Sequence, residues 1–395
     1  MVSEVHLSSP LDPGIAAGPE RICQMVNRVF QEGIRLGATD IHIEPTHSSL
    51  RVNFRLDGVL HEAGALPREL APNLITRLKV MADLLSYRQD IPQEGRVRSD
   101  FSPADMEIRV STFPTIHGER AAIRLFRFDS RRIDLEELGL QGEIHATLAK
   151  AIQQRTGAIL LTGPGGSGKT TTIYGCLANI LKKENGARHV VTLEDPVEQV
   201  LEGAGQTQVR PGTEFDFSRG LRSLLRQDPE VIMVGEIRDS ETARAAIEAA
   251  LSGHLLFSTL HAGSACGVVA RLLDMGIEPY LLTSAIRLVL NQRLLRQSCQ
   301  RCLGLGCDNC HQTGYSGRML LAEALEITPS IRQAILRKAD RIELEELFRA
   351  QGGFPLEDHA RAAVAKKLTT QEEVNRVLGL LNWQDDSGIK KKEAK

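Results

Sequence analysis

The sequence predicts an α/β fold in two parts: a small α+β domain, then a larger domain built on a parallel sheet. Up to about residue 128, segments that alternate apolar and polar residues indicate strands beside two amphipathic helices. From about residue 142, short apolar β-rich runs alternate with helical segments, which is typical of a parallel sheet with helices on both faces. With 395 residues, the chain also exceeds the usual size of a single core.

The first domain is predicted over residues 19–128. Residues 1–18 are rich in Ser, Pro and Gly and are expected to form a disordered lead. Helices are expected at residues 20–37 and 72–85. The expected strands are residues 41–44, 50–60, 107–112 and 121–128. Residues 129–141 are charged and short, and are interpreted as a linker.

The second domain is predicted over residues 142–298. Its parallel strands are expected at the apolar runs 158–162, 189–193, 231–234 and 255–259. A cysteine-containing segment follows at residues 299–318. Residues 319–383 are then interpreted as mainly helical, and residues 384–395 as a charged tail.

Composition excludes several classes of protein. No apolar run approaches the roughly 18 residues that cross a bilayer, and the N-terminus lacks the basic-then-apolar order of a signal peptide. A cytoplasmic protein is therefore expected. The net charge of −2 and the aromatic content of 4% disfavour nucleic-acid binding, which uses basic grooves and stacking rings.

A phosphate-binding loop is the clearest motif. Residues 163–170 read GPGGSGKT, between the apolar run AILLT and the helical segment TTIYGCLANIL. The glycines allow backbone N–H groups to surround phosphates, Lys169 suits the β- and γ-phosphates, and the Thr170 hydroxyl suits Mg²⁺. The predicted ATP-binding residues are Gly163, Pro164, Gly165, Gly166, Ser167, Gly168, Lys169, Thr170 and Thr171.

Acidic residues follow two of the predicted parallel strands. Glu194 and Asp195 end one strand, and Glu236 follows another. The carboxyl ends of parallel strands gather at the edge where a phosphate loop also lies, so these groups are candidates to hold Mg²⁺ and to activate water. The sequence has no N-K-x-D motif for guanine, which favours an ATPase over a GTPase or a kinase.

Four of the seven cysteines lie within twelve residues. Cys299, Cys302, Cys307 and Cys310 form two C-x2-C pairs that can supply four thiolates in tetrahedral geometry, which favours a structural Zn²⁺ site. Free or redox-active thiols are the alternative. Disulfides are not expected in a reducing compartment.

These motifs occur in an order that resembles the type II secretion and type IV pilus assembly ATPases. The resemblance covers about residues 38–326. The matching stretches are ATDIHIEP (38–45), RLDG (55–58), RLKVMADL (77–84), PQEGR (92–96), RVSTFPT (109–115), GER (118–120), the phosphate loop, VTLEDPVE (191–198), LLRQDPEVIMVGEIRDSETARAAIEAALSGHLLFSTLHA (224–262) and TGYSGR (313–318).

The resemblance implies a fold and residue roles. It implies a PAS-like first domain and a RecA-like P-loop ATPase core. It assigns Glu194 and Asp195 to positions near Mg²⁺ and water. It assigns Glu236 to the Walker B glutamate, the expected base or water-orienting group. Arg238, His254 and His261 take sensing roles, for which simple packing of the two histidines is the alternative. The first-domain arginines that would act on the nucleotide are Arg96, Arg109 and Arg124.

The resemblance also implies partners: a homohexameric ring that acts on an inner-membrane platform protein, with membrane association through that partner. The expected function is an ATP-driven motor for pseudopilus assembly in protein export, with pilus extension as the alternative. Retraction motors are disfavoured, since they lack the tetracysteine segment. A nucleic-acid translocase and a zinc scaffold without turnover are the alternatives from other classes. The scaffold is disfavoured by the intact Lys169, Thr170 and Glu236.

Overall fold

The computed structural model describes residues 19–103, 106–127, 134–183, 186–210 and 213–379. The chain forms two compact units, one of residues 1–131 with 298–317 and one of residues 132–297 with 318–395. The cysteine segment thus groups with the N-terminal part of the chain. The predicted α/β fold class is confirmed, with an antiparallel sheet in the first unit and a largely parallel sheet in the second.

The first unit is a six-stranded antiparallel sheet with two helices. The helices are α1 (Pro19–Arg35) and α2 (Ala71–Met81). The strands are β1 (Asp40–Pro45), β2 (Ser49–Leu56), β3 (Val59–Pro67), β4 (Gln93–Arg96), β5 (Met106–Thr115) and β6 (Gly118–Arg127), in the order β3-β2-β1-β6-β5-β4. Alternate strand residues such as Ile41, Ile43 and Ile123 are buried against Val26 and Phe30 of α1. This alternation follows from the two-residue period of a strand.

One predicted strand of this unit is wrong. Residues 50–60 do not form one strand but a hairpin, β2 and β3, joined at Asp57 and Gly58. Both residues have positive φ, 46° and 83°, as a two-residue hairpin turn requires. The Asp-Gly pair was the signal for this turn. The predicted helix at residues 72–85 also ends early, at Met81, because Asp83 has φ 54°.

The second unit contains a seven-stranded sheet in the order β13-β12-β7-β11-β10-β8-β9. Its strands are β7 (Gly157–Thr162), β8 (Val190–Glu194), β9 (Ala204–Gln208), β10 (Val231–Val234), β11 (Leu255–Leu260), β12 (Ile286–Ser298) and β13 (Tyr315–Glu326). Strands β12, β7, β11, β10, β8 and β9 pair in parallel. Every residue of β7, β8, β10 and β11 is buried, as expected for strands covered on both faces.

Ten helices of this unit lie within the described residues. They are α3 (Gly142–Ala151), α4 (Lys169–Lys183), α5 (Phe217–Leu224), α6 (Ser240–Leu251), α7 (Ala265–Asp274), α8 (Pro279–Ala285), α9 (Pro329–Leu336), α10 (Arg341–Ala350), α11 (Leu356–Ala365) and α12 (Gln371–Leu378). No helix in the described part of the chain is both long and apolar enough to cross a bilayer. Phe128 and Trp383, which end two predicted elements, lie outside the described residues.

Candidate functional site

A polar pocket lies where the phosphate loop and the ends of three buried strands meet in the second unit. Its volume is about 230 Å³. It is lined by Gly165, Gly166, Lys169, Thr170, Glu194, Asp195, Pro196, Glu198, Phe217, Met233, Gly235, Glu236, Arg238, Thr259 and His261. The structure therefore brings the loop and the three predicted acids into one site.

The phosphate loop joins β7 to α4 in a conformation that needs glycine. Gly166 and Gly168 have φ of 73° and 89°, a region that other L-residues rarely adopt. Gly163 has φ 142°, and a side chain there would place its Cβ 2.4 Å from the carbonyl oxygen of Gln292 on β12. The first glycine is therefore required both for its backbone angle and for the close approach of β12.

Lys169 is the first residue of α4, directly after the loop. Its Nζ donates to the carbonyl oxygens of Gly163 and Pro164, each at 2.9 Å. Burial lowers the pKa of Lys169, and the charge of Glu236 opposes this shift. The half-buried ammonium of Lys169 thus lies at the N-terminus of the fifteen-residue helix α4. This combination is suited to binding an anion.

Glu236 lines the same pocket, and its charge acts on Lys169. One oxygen accepts a hydrogen bond from Nε of Arg238 at 2.7 Å, and the other lies 2.9 Å from Nε2 of His261. Arg238 also lies within 4.0 Å of Asp195. Three of the predicted residues, Glu236, Arg238 and His261, are therefore in direct contact.

Glu194 is held quite differently. Its side chain is buried, at 2% exposure, and accepts hydrogen bonds from three groups: the Tyr174 hydroxyl, the Thr192 hydroxyl at 2.5 Å and the Gln206 amide at 3.1 Å. Burial and the hydrogen bond to Glu194 raise the pKa of Tyr174, which keeps its hydroxyl a donor. The carboxylate of Glu194 is thus engaged within the fold.

His254 does not line the pocket. It precedes β11, and its Nδ1 lies 2.9 Å from the Ala249 carbonyl oxygen and 3.2 Å from the Ser252 hydroxyl, in the turn that ends α6. Within one chain, the two histidines predicted to sense nucleotide therefore lie at opposite ends of one strand. Of the loop residues, Gly163, Pro164, Ser167, Gly168 and Thr171 support the pocket without lining it.

The four cysteines of residues 299–310 form one cluster, with ligand atoms all within 4.8 Å of one another. Three Sγ–Sγ distances are 3.9, 3.7 and 3.7 Å. Four sulfurs at tetrahedral positions about 2.3 Å from a zinc ion would be about 3.8 Å apart. The cluster therefore fits zinc.

The chain matches the family described as "Type II/IV secretion system protein" over residues 16–376. It is 41% identical over 381 residues to the "putative type II secretion system protein E" of Escherichia coli K12, covering 90% of this chain and 76% of the relative. It is 40% identical to the "type II secretion system ATPase E" of Vibrio cholerae, covering 90% and 75%.

The chain belongs to the type II/IV secretion system protein family. A solved structure titled as the pilus retraction motor PilT with bound ADP has the same fold, with a TM-score of 0.60, 26% identity, and coverage of 89% of this chain and 96% of that one. Membership in this family supports an ATPase.

The three arginines predicted for this secretion ATPase family lie on β4, β5 and β6 of the first unit. Arg96 and Arg109 both approach one oxygen of Glu107, at 3.3 and 2.6 Å. Arg124 pairs with Asp40 at 2.9 Å. In this unit all three therefore have local carboxylate partners, and they lie on adjacent strands.

Sequence reasoning missed residues that support the secretion ATPase pocket from outside its motifs. Tyr174 and Gln206 hold Glu194, and Arg293 on β12 packs beside Gly163. Tyr174 follows the pocket residue Thr170 by four residues on α4, the spacing of one helix face, so helical periodicity could have pointed to it. Gln206 and Arg293 lie on strands that the sequence pattern did not predict, so no local signal identified them.

Proposed function

We propose that this chain is the Mg²⁺-dependent ATPase motor of a type II secretion system, in which ATP hydrolysis powers pseudopilus assembly. One observation carries the proposal: Lys169 of the phosphate loop and Glu236 line one pocket. The family and the ATPase name of the Vibrio cholerae relative support it.

Each pocket residue takes a role from its position. Lys169, beside the N-terminus of α4, binds the β- and γ-phosphates. The Thr170 hydroxyl and the Asp195 carboxylate are the oxygen donors that would hold Mg²⁺, which when bound would neutralise charge on the phosphates. Glu236 orients the attacking water and accepts its proton. Arg238 and His261, which both contact the Glu236 carboxylate, respond to the loss of the γ-phosphate.

Glu236 is a better candidate than Glu194 for the catalytic base. Three donors already occupy the carboxylate of Glu194, one of them a tyrosine hydroxyl in a buried position. These hydrogen bonds hold the Glu194 carboxylate inside the fold, whereas the Glu236 side chain is more exposed and can contact a water. We therefore assign Glu194 to holding α4 against β8 and β9, and Glu236 to the chemistry.

Phosphate release by purified protein with ATP and Mg²⁺ tests the ATPase. We expect hydrolysis that chelation of Mg²⁺ abolishes and that Lys169→Ala reduces to background. Lys183→Ala is the matched control, because Lys183 is exposed at the other end of the same helix and should leave the rate unchanged. Equal rates for the wild type and Lys169→Ala would remove the phosphate loop from the reaction.

The tetracysteine cluster binds one structural Zn²⁺, since four thiolates leave no open position for a substrate. We further propose that the chain works as a homohexamer on an inner-membrane platform protein and reaches the cytoplasmic membrane only through that partner. Pilus extension is the second candidate, since the solved structure of a pilus motor, PilT, has the same fold. Complementation of a strain lacking its secretion ATPase, against one lacking its pilus extension ATPase, separates the two.

A nucleic-acid translocase is not expected. The chain carries a net charge of −2 and 4% aromatic residues, which provide neither a basic groove nor stacking platforms. The discriminating measurement is the ATPase rate with and without single-stranded and double-stranded DNA. Strong stimulation by either would favour the translocase over the secretion motor.

A further inference from the structure

A buried polar network in the second unit leads from the C-terminal helices to the nucleotide pocket. Its centre is Glu323 on β13, which is 6% exposed. Its carboxylate accepts hydrogen bonds from the backbone N–H of Ala265 at 2.7 Å, from the amide of Asn291 at 2.9 Å and from the backbone N–H of Leu356 at 3.2 Å. Ala265 and Leu356 begin α7 and α11, so one carboxylate receives donors from the first turns of two helices.

Asn291 connects this network to Arg293, two residues further along β12. The side-chain oxygen of Asn291 accepts from Nη1 of Arg293 at 2.7 Å, while its Nδ2 donates to Glu323. Nη1 of Arg293 also donates to the carbonyl oxygen of Gln292 at 2.9 Å, and Nη2 to that of Gly263 at 3.2 Å. The planar guanidinium is thereby fixed by three acceptors, in a way that a lysine ammonium cannot reproduce.

Arg293 lies between two loops that border the nucleotide pocket. On one side is the phosphate loop: a Cβ at Gly163 would lie 3.2 Å from Nη1 of Arg293, and the positive charge of Arg293 contributes to lowering the pKa of Lys169, after the larger effect of burial. On the other side is the loop at residues 261–264, whose Gly263 carbonyl accepts from Arg293. His261, which contacts Glu236, begins this loop.

The loop at residues 261–264 is held at each position after His261. The backbone N–H of Ala262 donates to the Thr162 hydroxyl at 2.8 Å, and that hydroxyl lies 3.0 Å from the Ala262 carbonyl oxygen. Gly263 is held by Arg293, and the Ser264 hydroxyl donates to Glu345 of α10 at 2.9 Å. The orientation of His261 towards Glu236 thus depends on contacts outside the pocket.

We propose that Arg293 is a positioning residue of the ATPase site, which fixes the distance between the phosphate loop and the His261 loop and is itself fixed by Asn291 and Glu323. The inference rests on the proposed ATPase function. Arg293 does not line the pocket, so it acts through Gly163 and Gly263 rather than on the nucleotide. It supports the hydrolysis step more than nucleotide binding, because His261 and Glu236 act on the γ-phosphate end.

The test is Arg293→Lys, which keeps the charge and loses the fixed geometry. We expect kcat for ATP hydrolysis to fall about tenfold or more, since small misplacements of catalytic groups carry losses up to about 10²-fold. The KM for ATP and the affinity for ADP should change less than about twofold, because the variant disturbs the placement of the catalytic groups and not the binding of the nucleotide. The control is Arg287→Lys, because Arg287 also lies on β12 but donates to Thr156 and Ser284, away from the pocket.

A second variant separates positioning from a general loss of stability. Asn291→Ala removes the hydrogen bonds of Asn291 with Glu323, with Arg293 and, at 3.3 Å, with the Gly263 carbonyl oxygen, while the guanidinium itself is kept. We expect the same fall in kcat. The double variant should lose little more than either single variant, since both break one chain of contacts. Thermal midpoints of all variants identify any loss due to unfolding.

The outcomes separate this inference from the proposed function. Wild-type protein without Mg²⁺-dependent ATPase activity would overturn the proposed function. An active wild type that Lys169→Ala inactivates, together with unchanged kcat for Arg293→Lys and Asn291→Ala, would overturn only the role of Arg293. Fully additive losses in the double variant would also overturn it, because two independent sites would then be involved.

Discussion

Nε2 of His261 lies 2.9 Å from Oε1 of Glu236, while Arg238 donates to the other oxygen of the same carboxylate at 2.7 Å. His261 follows β11, and Glu236 and Arg238 follow β10, its parallel neighbour in the sheet. Two strand ends thus determine the direction in which one carboxylate points. A shift of Glu236 would therefore either move one of these partners or break its contact, and under the proposed function this would let the site report hydrolysis.

The first prediction concerns Glu236→Gln. The amide keeps the shape of the side chain but cannot accept the proton of water, so turnover should fall by roughly 10²-fold or more, the scale of a lost general base. ATP should remain bound, because Lys169 and the loop are unchanged. Turnover and ATP binding are measured on the same preparation, with Glu241→Gln of α6 as the exposed control. Equal turnover before and after Glu236→Gln would exclude this residue from the mechanism.

Glu194→Gln should have a different effect, on stability. The buried carboxylate accepts from Tyr174, Thr192 and Gln206, and an amide would turn its NH₂ group towards donors. Leaving buried donors without acceptors costs about 1–3 kcal/mol each, so the thermal midpoint should drop clearly. Glu236→Gln should change it little. A stable Glu194→Gln variant with little activity would instead make Glu194 the base.

A third prediction concerns pH and the buried Glu373 of α12. Burial alone would raise the pKa of Glu373, but hydrogen bonds from Arg376 and Arg296 outweigh burial and hold the pKa below its usual value of 4.5. A carboxyl whose folded pKa is lowered stabilises the protein above its unfolded pKa, and this contribution is lost as pH falls through the folded pKa.

Glu373→Gln should therefore destabilise the protein at pH 7 by about 3 kcal/mol, the scale for breaking a buried ion pair. The difference from the wild type should shrink as pH falls below 4.5. Urea unfolding at several pH values measures it, with the exposed Glu346→Gln of α10 as the control. A difference that stays constant down to acid pH would contradict the ion-pair explanation.

The sequence was most informative where residue type alone decides geometry. The glycines of GPGGSGKT allow the positive φ angles that the phosphate loop adopts. Four fully apolar runs, such as residues 231–234, indicate strands of a parallel sheet covered on both faces. It was less informative where tertiary contacts decide. Strand β4 has an alternately half-exposed pattern and forms only because β5 provides a partner. The Glu194 carboxylate is held partly by Gln206, which lies twelve residues away on a neighbouring strand. Motif spacing in the sequence therefore could not distinguish the role of Glu194 from that of Glu236.

The fourth prediction is one Zn²⁺ per chain, measured by elemental analysis of freshly purified, reduced protein. Cys299→Ser should lower the zinc content and destabilise the cysteine segment, because metal binding contributes folding free energy directly. Cys23→Ser on α1 is the control, since Cys23 lies outside the cluster and should keep the zinc. Zinc-free wild-type protein would favour the alternative of free thiols.

The last prediction concerns Arg96, Arg109 and Arg124. If they act on the nucleotide, each alanine variant should lower ATP turnover by about 10³-fold or more, since arginines that stabilise phosphoryl-transfer transition states contribute about 10³-fold to 10⁵-fold. ADP affinity should change far less, because ADP lacks the γ-phosphate. Turnover and ADP binding are measured on the three single variants, with Arg51→Ala of β2, paired with Glu62 at 3.8 Å, as the control.

The local ion pairs supply the competing explanation. Arg96 and Arg109 share Glu107, and Arg124 pairs with Asp40, so alanine could act only by freeing these carboxylates. Glu107→Gln and Asp40→Asn decide this, because each removes the partner and keeps the arginine. If the arginines serve the nucleotide, these two variants should retain most of the turnover. Turnover lost equally in the arginine and the carboxylate variants would mean that the pairs only support the sheet. Unchanged turnover in all three arginine variants would mean that the first unit takes no part in catalysis.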